Sequence, residues 1–361
     1  MINLLNNPNP FKLALFGFNV YGGLSVSTNP NKIQVNWAES LRLGKKAENL
    51  GLDALIPIAR WKGFGGRSDH NDRCFETNTW AAALAAATEN ISIFSTVHVA
   101  TVHPVFMAKQ ATTIDHVSGG RFGLNVVSGY VPAETDMFGA AFQEHDERYI
   151  YADEWMQLIK RLWTEDDFDF EGRYFQAKGA HSNPKPIQQP HPMIMNAGNS
   201  AAGSLFAAAH ANVQYINILS LGHAAEQVAK VRQMAKEKAG RNVLVMALVQ
   251  IISRDTEKEV KEYHDYLIHD VGDHDGAKNL ARMLLGNTNS LINDETVINR
   301  IILTMGGWPV IGTPDQVVEQ LKELMDAGLD GIALSWPDFD DGLERYDRDL
   351  LPRLRAAGMR L

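Results

Sequence analysis

The chain has 361 residues, 45% of them hydrophobic and 21% charged, which suits a soluble globular protein with a large core. Its net charge of −9, with no long basic run, argues against nucleic acid or an anionic membrane as a main partner. The single cysteine, Cys74, excludes an internal disulfide and a thiolate-rich metal site, and a reducing cytoplasm is the simplest home. The N-terminus has no basic stretch ahead of its apolar part, so no secretory signal is expected. No apolar run approaches the roughly 20 residues that span a bilayer.

Taken in order, residues 11–18 read as a first strand, 37–50 as a helix closing at Gly51, and 53–58 as a second strand. A loop with three glycines and two aromatics, Trp61 and Phe64, follows as RWKGFGGRSDHND. An Ala-rich helix at 75–88, a strand at 91–97 ending on His98, a helix at 105–117 and a strand at 121–127 complete four strand–helix units. The alternation continues with a helix at 145–163, strands at 193–196, 213–218 and 243–252, and a last strand at 331–335. Helices are expected at 201–210, 223–239, 256–268, 277–285, 294–305, 313–327 and 345–356.

Eight strands alternating with helices, without a composition break that would mark a linker, predict one α/β domain over 1–361, a (β/α)8 TIM barrel. Two insertions interrupt it, one around 164–191 with a small hairpin in DFDFEGRYFQAKG, the other around 269–312 with extra helices. A doubly wound sheet is the rival, but FNVYGG after the first strand does not supply G-x-G-x-x-G. The 269–312 segment leaves the face where barrel chemistry sits, so it is either a mobile lid or a rigid helical decoration.

In a barrel the chemistry lies at the carboxyl ends of the strands. Those ends carry neutral hydrogen-bonding groups and aromatics: Asn19, Trp61, Thr96, His98, Asn125, Ser128, Asn196, Asn217 and Trp336. No pair of carboxylates recurs among them, which disfavours glycoside hydrolysis. No His/Asp/Glu set has metal-ligand spacing, and no G-x-S-x-G elbow appears. Asn125 stands inside the apolar strand FGLNVV, so its amide must find protein partners or a polar ligand. Gly198-Asn199-Ser200 follows a strand and opens a helix, where Ser200 either caps the helix or joins its N–H groups in holding a phosphate.

The segments NVYGGLSVST, KGFGG, STVH, ATTIDHVSGGRFGLNVVSG, HDERY, FEGRYF, NPKPIQQPHPMIMNAGNS and IGTPDQV span nearly the whole chain in order. Together they resemble the bacterial-luciferase-like flavin monooxygenases, in the branch that holds pyrimidine, dimethylsulfone and alkanesulfonate monooxygenases. The resemblance implies a barrel that binds FMN non-covalently, the FMN being reduced by a separate NAD(P)H-dependent reductase, with O2 as co-substrate. By position, Thr96 and Asn125 would flank the reactive edge of the isoalloxazine, where oxygen is taken up. Ser128, Tyr149, Gly198, Asn199 and Ser200 would hold the ribityl chain and phosphate. Trp61, Phe64, His98 and Trp336 are candidate walls of the substrate pocket.

The expected activity is oxygenation of a small organic molecule, a pyrimidine-like heterocycle or amide first and a sulfone second. Ala and Asn stand where a basic residue would follow the sixth strand, which disfavours alkanesulfonate. A deazaflavin-dependent hydride transfer and a flavin-binding protein without turnover are the alternatives. The small residues of TWAAALAAAT permit close helix packing, either against the chain's own barrel or, as the resemblance implies, in a homodimer or homotetramer formed through that helix.

Overall fold

The computed structural model describes residues 2–129, 131–140, 143–285 and 292–361. Tyr130, just after the fourth strand, and 286–291, within the second insertion, lie outside the described residues. The strands are β1 (Lys12–Phe16), β2 (Ala54–Ile56), β3 (Ser92–His98), β4 (Phe122–Val127), β5 (Phe168–Glu171), β6 (Gln176–Ala180), β7 (Met193–Asn196), β8 (Val213–Ile216), β9 (Leu244–Ser253), β10 (Trp308–Gly312) and β11 (Gly331–Ser335). The helices that matter below are α1 (Trp37–Asn49), α2 (Thr77–Ala87), α3 (Pro104–Val117), α4 (Pro132–Met137), α5 (His145–Thr164), α6 (Ala201–His210), α7 (Leu221–Ala239), α8 (Glu257–Asp265), α9 (His274–Leu285) and α10 (Glu295–Thr304).

The chain divides into two compact units, Met1–Asn7 with Glu76–Tyr215 and Ala229–Leu244, and Pro8–Phe75 with Ile216–Val228 and Val245–Leu361. In the first, β3, β4, β7 and β8 run parallel in that order, and their residues are buried throughout apart from half-buried Val127. Burial on both faces explains why these strands read as unbroken apolar runs rather than alternating ones. Gly119 and Gly120, at φ +63° and +85°, make the left-handed turn from α3 into β4 that a side chain would strain. The next residue, Arg121, is 5% exposed and donates to the carbonyls of Ala85, Thr88, Ile91 and Ser118. Its charge therefore sits on the unpaired carbonyl end of α2, where the helix dipole favours a cation.

The hairpin expected in 164–191 is present as antiparallel β5–β6. Its turn is held by a single carboxylate from α5. Glu154 accepts from the backbone N–H groups of Arg173, Tyr174 and Phe175 at 2.9, 2.8 and 2.7 Å. A Cβ on Gly172 would lie 2.1 Å from Glu154 Oε1, so the glycine of FEGRYF is a packing requirement.

In the second unit β10, β9, β11, β1 and β2 run parallel in that order. The strand β10 was not expected, since 269–312 had been read as helical. Its Trp308-Pro309 start hides it, because proline is depleted in strands and survives at a sheet margin, the place β10 takes beside β9. The two expected helices of this segment are α9 and α10. Their apolar faces pack Leu280, Ala281, Ile298, Ile301 and Ile302 against Val26 and Phe64. Asp273, fully buried, accepts from Ser68 N at 2.6 Å and Gly276 N at 3.0 Å, while Arg67 donates to Gly272 O and Asn279 to Phe64 O. The described part of the insertion is thus a packed decoration tied to the KGFGG loop.

Candidate active site

Thr96 and Asn125 are register partners on the parallel neighbours β3 and β4, 7% and 8% exposed. Asn125 Nδ2 donates to Thr96 Oγ1 at 3.2 Å, and Asn125 Oδ1, buried, has no hydrogen-bond partner among the described residues. The backbone of Thr96 is fixed from α2, where the Thr77 hydroxyl donates to Thr96 O at 2.6 Å and accepts from Thr96 N at 3.3 Å. Thr77 escaped sequence reasoning because it opens a helix, where Thr reads as an ordinary cap. His98 is two residues beyond Thr96 and so on the same strand face. Its Nδ1 lies 3.6 Å from Glu134 Oε2 of α4, both side chains being buried. Glu134 had no signal in the sequence, which predicts no element between the fourth strand and the helix at 145–163.

Ser128 follows β4 and lines a cavity of 210 Å³ with Gly129, Gln143, Arg148 and Tyr151. The Arg148 guanidinium donates to Gly129 O, and burial lowers its pKa from the usual value. The second cluster forms at the start of α6. Asn196 ties its turn to β4, its Nδ2 donating to Val126 O and its Oδ1 accepting from Gly198 N, both at 2.8 Å. A Cβ on Gly198 or on Gly203 would each lie 2.7 Å from Tyr149 Oη, so two glycines bring the Tyr149 hydroxyl against the turn. Asn199 donates to Ala197 O at 2.9 Å, and Ser200 Oγ accepts from Gly203 N at 3.1 Å as the N-cap. Tyr149, Gly198, Asn199 and Ser200 are therefore gathered at one helix start.

The remaining candidates lie in the second unit. Trp61 is 43% exposed. Phe64 belongs to the core cluster with α9 and α10, with the Arg60 guanidinium over its ring and His70 stacked on it. Trp336, 4% exposed, lies edge-on to Tyr346 and is covered by Gly342. Among the described residues no three His, Cys, Asp or Glu side chains are grouped to hold a metal, and no helix is long and apolar enough to cross a membrane.

Buried parallel strands alternating with helices, with polar side chains at their carboxyl ends, define the class as an α/β barrel. Residues 16–331 match the luciferase-like monooxygenases, and the chain belongs to that family. It is 31% identical over 357 residues to the FMNH2-dependent dimethylsulfone monooxygenase of Pseudomonas putida, covering 96% of each chain. It is 29% identical over 352 residues to the pyrimidine monooxygenase RutA of a Bradyrhizobium species, covering 94% of this chain and 96% of that one. Among solved structures, a long-chain alkane monooxygenase superposes with a TM-score of 0.84 at 22% identity, covering 98% of this chain and 93% of the other. That likeness shows the fold, a closed barrel of eight parallel strands with surrounding helices.

Proposed function

We propose that this protein is a two-component monooxygenase that takes reduced FMN from a separate NAD(P)H-dependent flavin reductase and uses O2 to oxygenate a small polar molecule. The names of its curated relatives favour FMN over a deazaflavin. A pyrimidine-like heterocycle or amide, then a sulfone, heads the proposed substrate classes, and the pyrimidine and dimethylsulfone monooxygenases among its relatives support that choice. The observation that carries the reading is the Thr96–Asn125 pair, buried and neutral, with an acceptor atom that has no hydrogen-bond partner among the described residues.

The residues fit the cofactor. The first N–H groups of α6, with Ser200 and the Tyr149 hydroxyl, form an anion-binding start suited to the phosphate. Asn199 and Ser128 continue the polar lining towards the ribityl chain. Thr96 and Asn125 would meet the redox-active edge, with His98 on the same strand face as a pocket wall. Reduced FMN supplies the two electrons that activate oxygen. Neither Thr96 nor Asn125 is a strong acid or base, so the pair stabilises charge by preorganised hydrogen bonds rather than by moving protons. The enzyme would work in the cytoplasm, as a homodimer or homotetramer built through the small-residue face of α2.

A substrate screen tests this reading, with reduced FMN supplied chemically under oxygen and products read by mass spectrometry. A heterocycle or amide gaining one oxygen atom is the expected result. Preference for a reduced deazaflavin in absorbance titrations, or tight oxidised FMN with no oxygen consumption, would replace it by one of the two alternatives.

A further inference from the structure

Two cations meet one phenol ring in the loop that follows β1. Tyr21 N donates to Arg73 O at 2.9 Å, Asn71 N to Tyr21 O at 3.1 Å and Gly22 N to Ile33 O at 3.2 Å. These backbone bonds lay three stretches of chain side by side and bring Lys32 and Arg73 to Tyr21. Arg73 Cζ lies 3.6 Å and Lys32 Nζ 4.2 Å from the centroid of the Tyr21 ring. A Cβ on Gly22 would lie 2.8 Å from His70 Nδ1, so the close approach requires the glycine. Lys32 is 8% exposed, and its ammonium donates to two neutral acceptors, Ser27 O at 3.0 Å and Ser68 O at 3.3 Å. An ammonium has three N–H donors, so one is left over. Among the described residues no carboxylate pairs with Lys32 or Arg73. Two neighbouring carboxylates are committed elsewhere, Asp72 accepting from Gly63 N at 3.3 Å and Asp273 from Ser68 N and Gly276 N. Buried charges are ordinarily balanced by opposite ones, and here two cations converge without an anion among the described residues. Burial pushes the Tyr21 hydroxyl up, but Lys32 and Arg73 outweigh it and hold its pKa below the ordinary 10.0, so both cations act at the oxygen end of the ring.

We propose that Tyr21, Lys32 and Arg73 form a binding site for the oxyanion head of a small organic acid, a carboxylate or a sulfonate. Arg73 is exposed and Tyr21 half-buried, so the acid enters from the guanidinium side. The Arg73 fork and the Tyr21 hydroxyl donate to its oxygens, and Lys32 supplies the balancing charge from the buried side. Charge-assisted hydrogen bonds of this kind are stronger than those between neutral groups, which suits a site open to water at one edge. The site lies beyond the carboxyl end of β1, the side on which barrel enzymes take up small molecules. It stands apart from the flavin reading, and either can fail alone.

The test is titration of the full chain, without flavin, with sodium propionate and with sodium propanesulfonate, against sodium chloride at matched ionic strength. Saturation-transfer NMR and melting temperature read the binding. At least one of the two acids is expected to show transfer and to raise the melting temperature where chloride does neither, and the tighter of the two names the head group. Arg73→Gln changes an exposed side chain and keeps the backbone bond to Tyr21, so it should fold normally and weaken binding about tenfold, the loss of a hydrogen bond between charged groups. Tyr21→Phe keeps the ring and removes the hydroxyl, and should weaken binding about threefold. Lys32→Met should abolish it. Circular dichroism checks all three variants. Failure of the wild type to bind either acid overturns the proposal, as does an affinity unchanged in Arg73→Gln or in Tyr21→Phe. Binding of inorganic phosphate in a parallel titration, with neither organic acid bound, overturns it as well.

Discussion

Two buried asparagines at the carboxyl ends of parallel strands carry the same side chain to different ends. Asn19, after β1, is fully buried, and both ends of its amide are taken by one residue, Nδ2 donating to Ile58 O at 2.7 Å and Oδ1 accepting from Ile58 N at 2.9 Å. It extends the ladder of β1 and β2 past the point where the backbones stop pairing. Asn125 pairs through one end only. The first amide is complete within the protein, whereas the oxygen of the second has no partner among the described residues. Buried polar groups in native structures are nearly always paired, so the half-paired amide at this strand end suits the proposed ligand contact.

The comparison breaks most visibly in activity. Asn125→Ala and Thr96→Val should each lower product formation about 10²–10³-fold, the usual cost of removing one preorganised hydrogen-bonding group. They should still fold, bind reduced FMN, and release hydrogen peroxide in place of product. Asn19→Ala should do the reverse, costing about 2–4 kcal/mol of stability by orphaning two buried backbone groups, with product per flavin unchanged. Product and peroxide per reduced flavin, set beside urea unfolding, give the answer. Full coupling in both site variants would mean that Asn125 is a structural residue like Asn19.

A carboxylate sharpens the contrast, because Asp273 is also buried and has backbone partners for both oxygens. Burial pushes its carboxyl up, but the Gly276 and Ser68 N–H groups and the nearby Arg67 outweigh it and hold the pKa below the ordinary 3.8. A depressed folded-state pKa stabilises the fold above the unfolded value, and that stability is lost as pH falls through the folded one. Asp273→Asn should therefore cost about 2 kcal/mol at neutral pH, where an amide cannot accept both bonds, with the gap to wild type closing below pH about 3.8. A gap of constant size across pH 3–7 would show that the charge is irrelevant there.

Ser200 stands between the two cases, since it already caps α6 and is also proposed to meet the phosphate. Ser200→Ala should cost about 1 kcal/mol of stability as a cap. It should also weaken reduced FMN roughly tenfold, the worth of a hydrogen bond to a charged group. Lowered stability with unchanged affinity would assign it to the cap alone. The smallest effect concerns assembly. Phe106, 61% exposed near the start of α3, stands on the helix that packs beside the small-residue α2. Phe106→Ser should shift the assembly towards monomer in light scattering at micromolar concentration, and a wild type already monomeric would end that proposal.

Much of this was legible in the chain because its strands are short, apolar and separated by glycine turns. The span 193–196 matches β7 to the residue, and the hairpin in 164–191 was visible from its alternating aromatics. The polar candidates were legible as types at strand ends. Their pairing was not, because Asn19 and Asn125 follow the same local pattern and differ only in a partner, Ile58, 39 positions along the chain. Glu134, Thr77 and Arg121 were missed for a related reason, since each acts on residues of another element. The strand β10 was missed because Pro309 reads as a breaker wherever sheet position is unknown.

The Glu154 clamp on the β5–β6 turn has a consequence for how variation can be tolerated there. Its three hydrogen bonds go to main-chain N–H groups, which every residue except proline provides. A saturation library should accept wide change at the side chain of exposed Arg173, yet reject any side chain at Gly172 and any shortening of Glu154. A surface loop would then show a mutational footprint resembling that of a core. The constraint belongs to one acidic residue on α5, and a graft of this hairpin onto another scaffold would have to carry that residue with it.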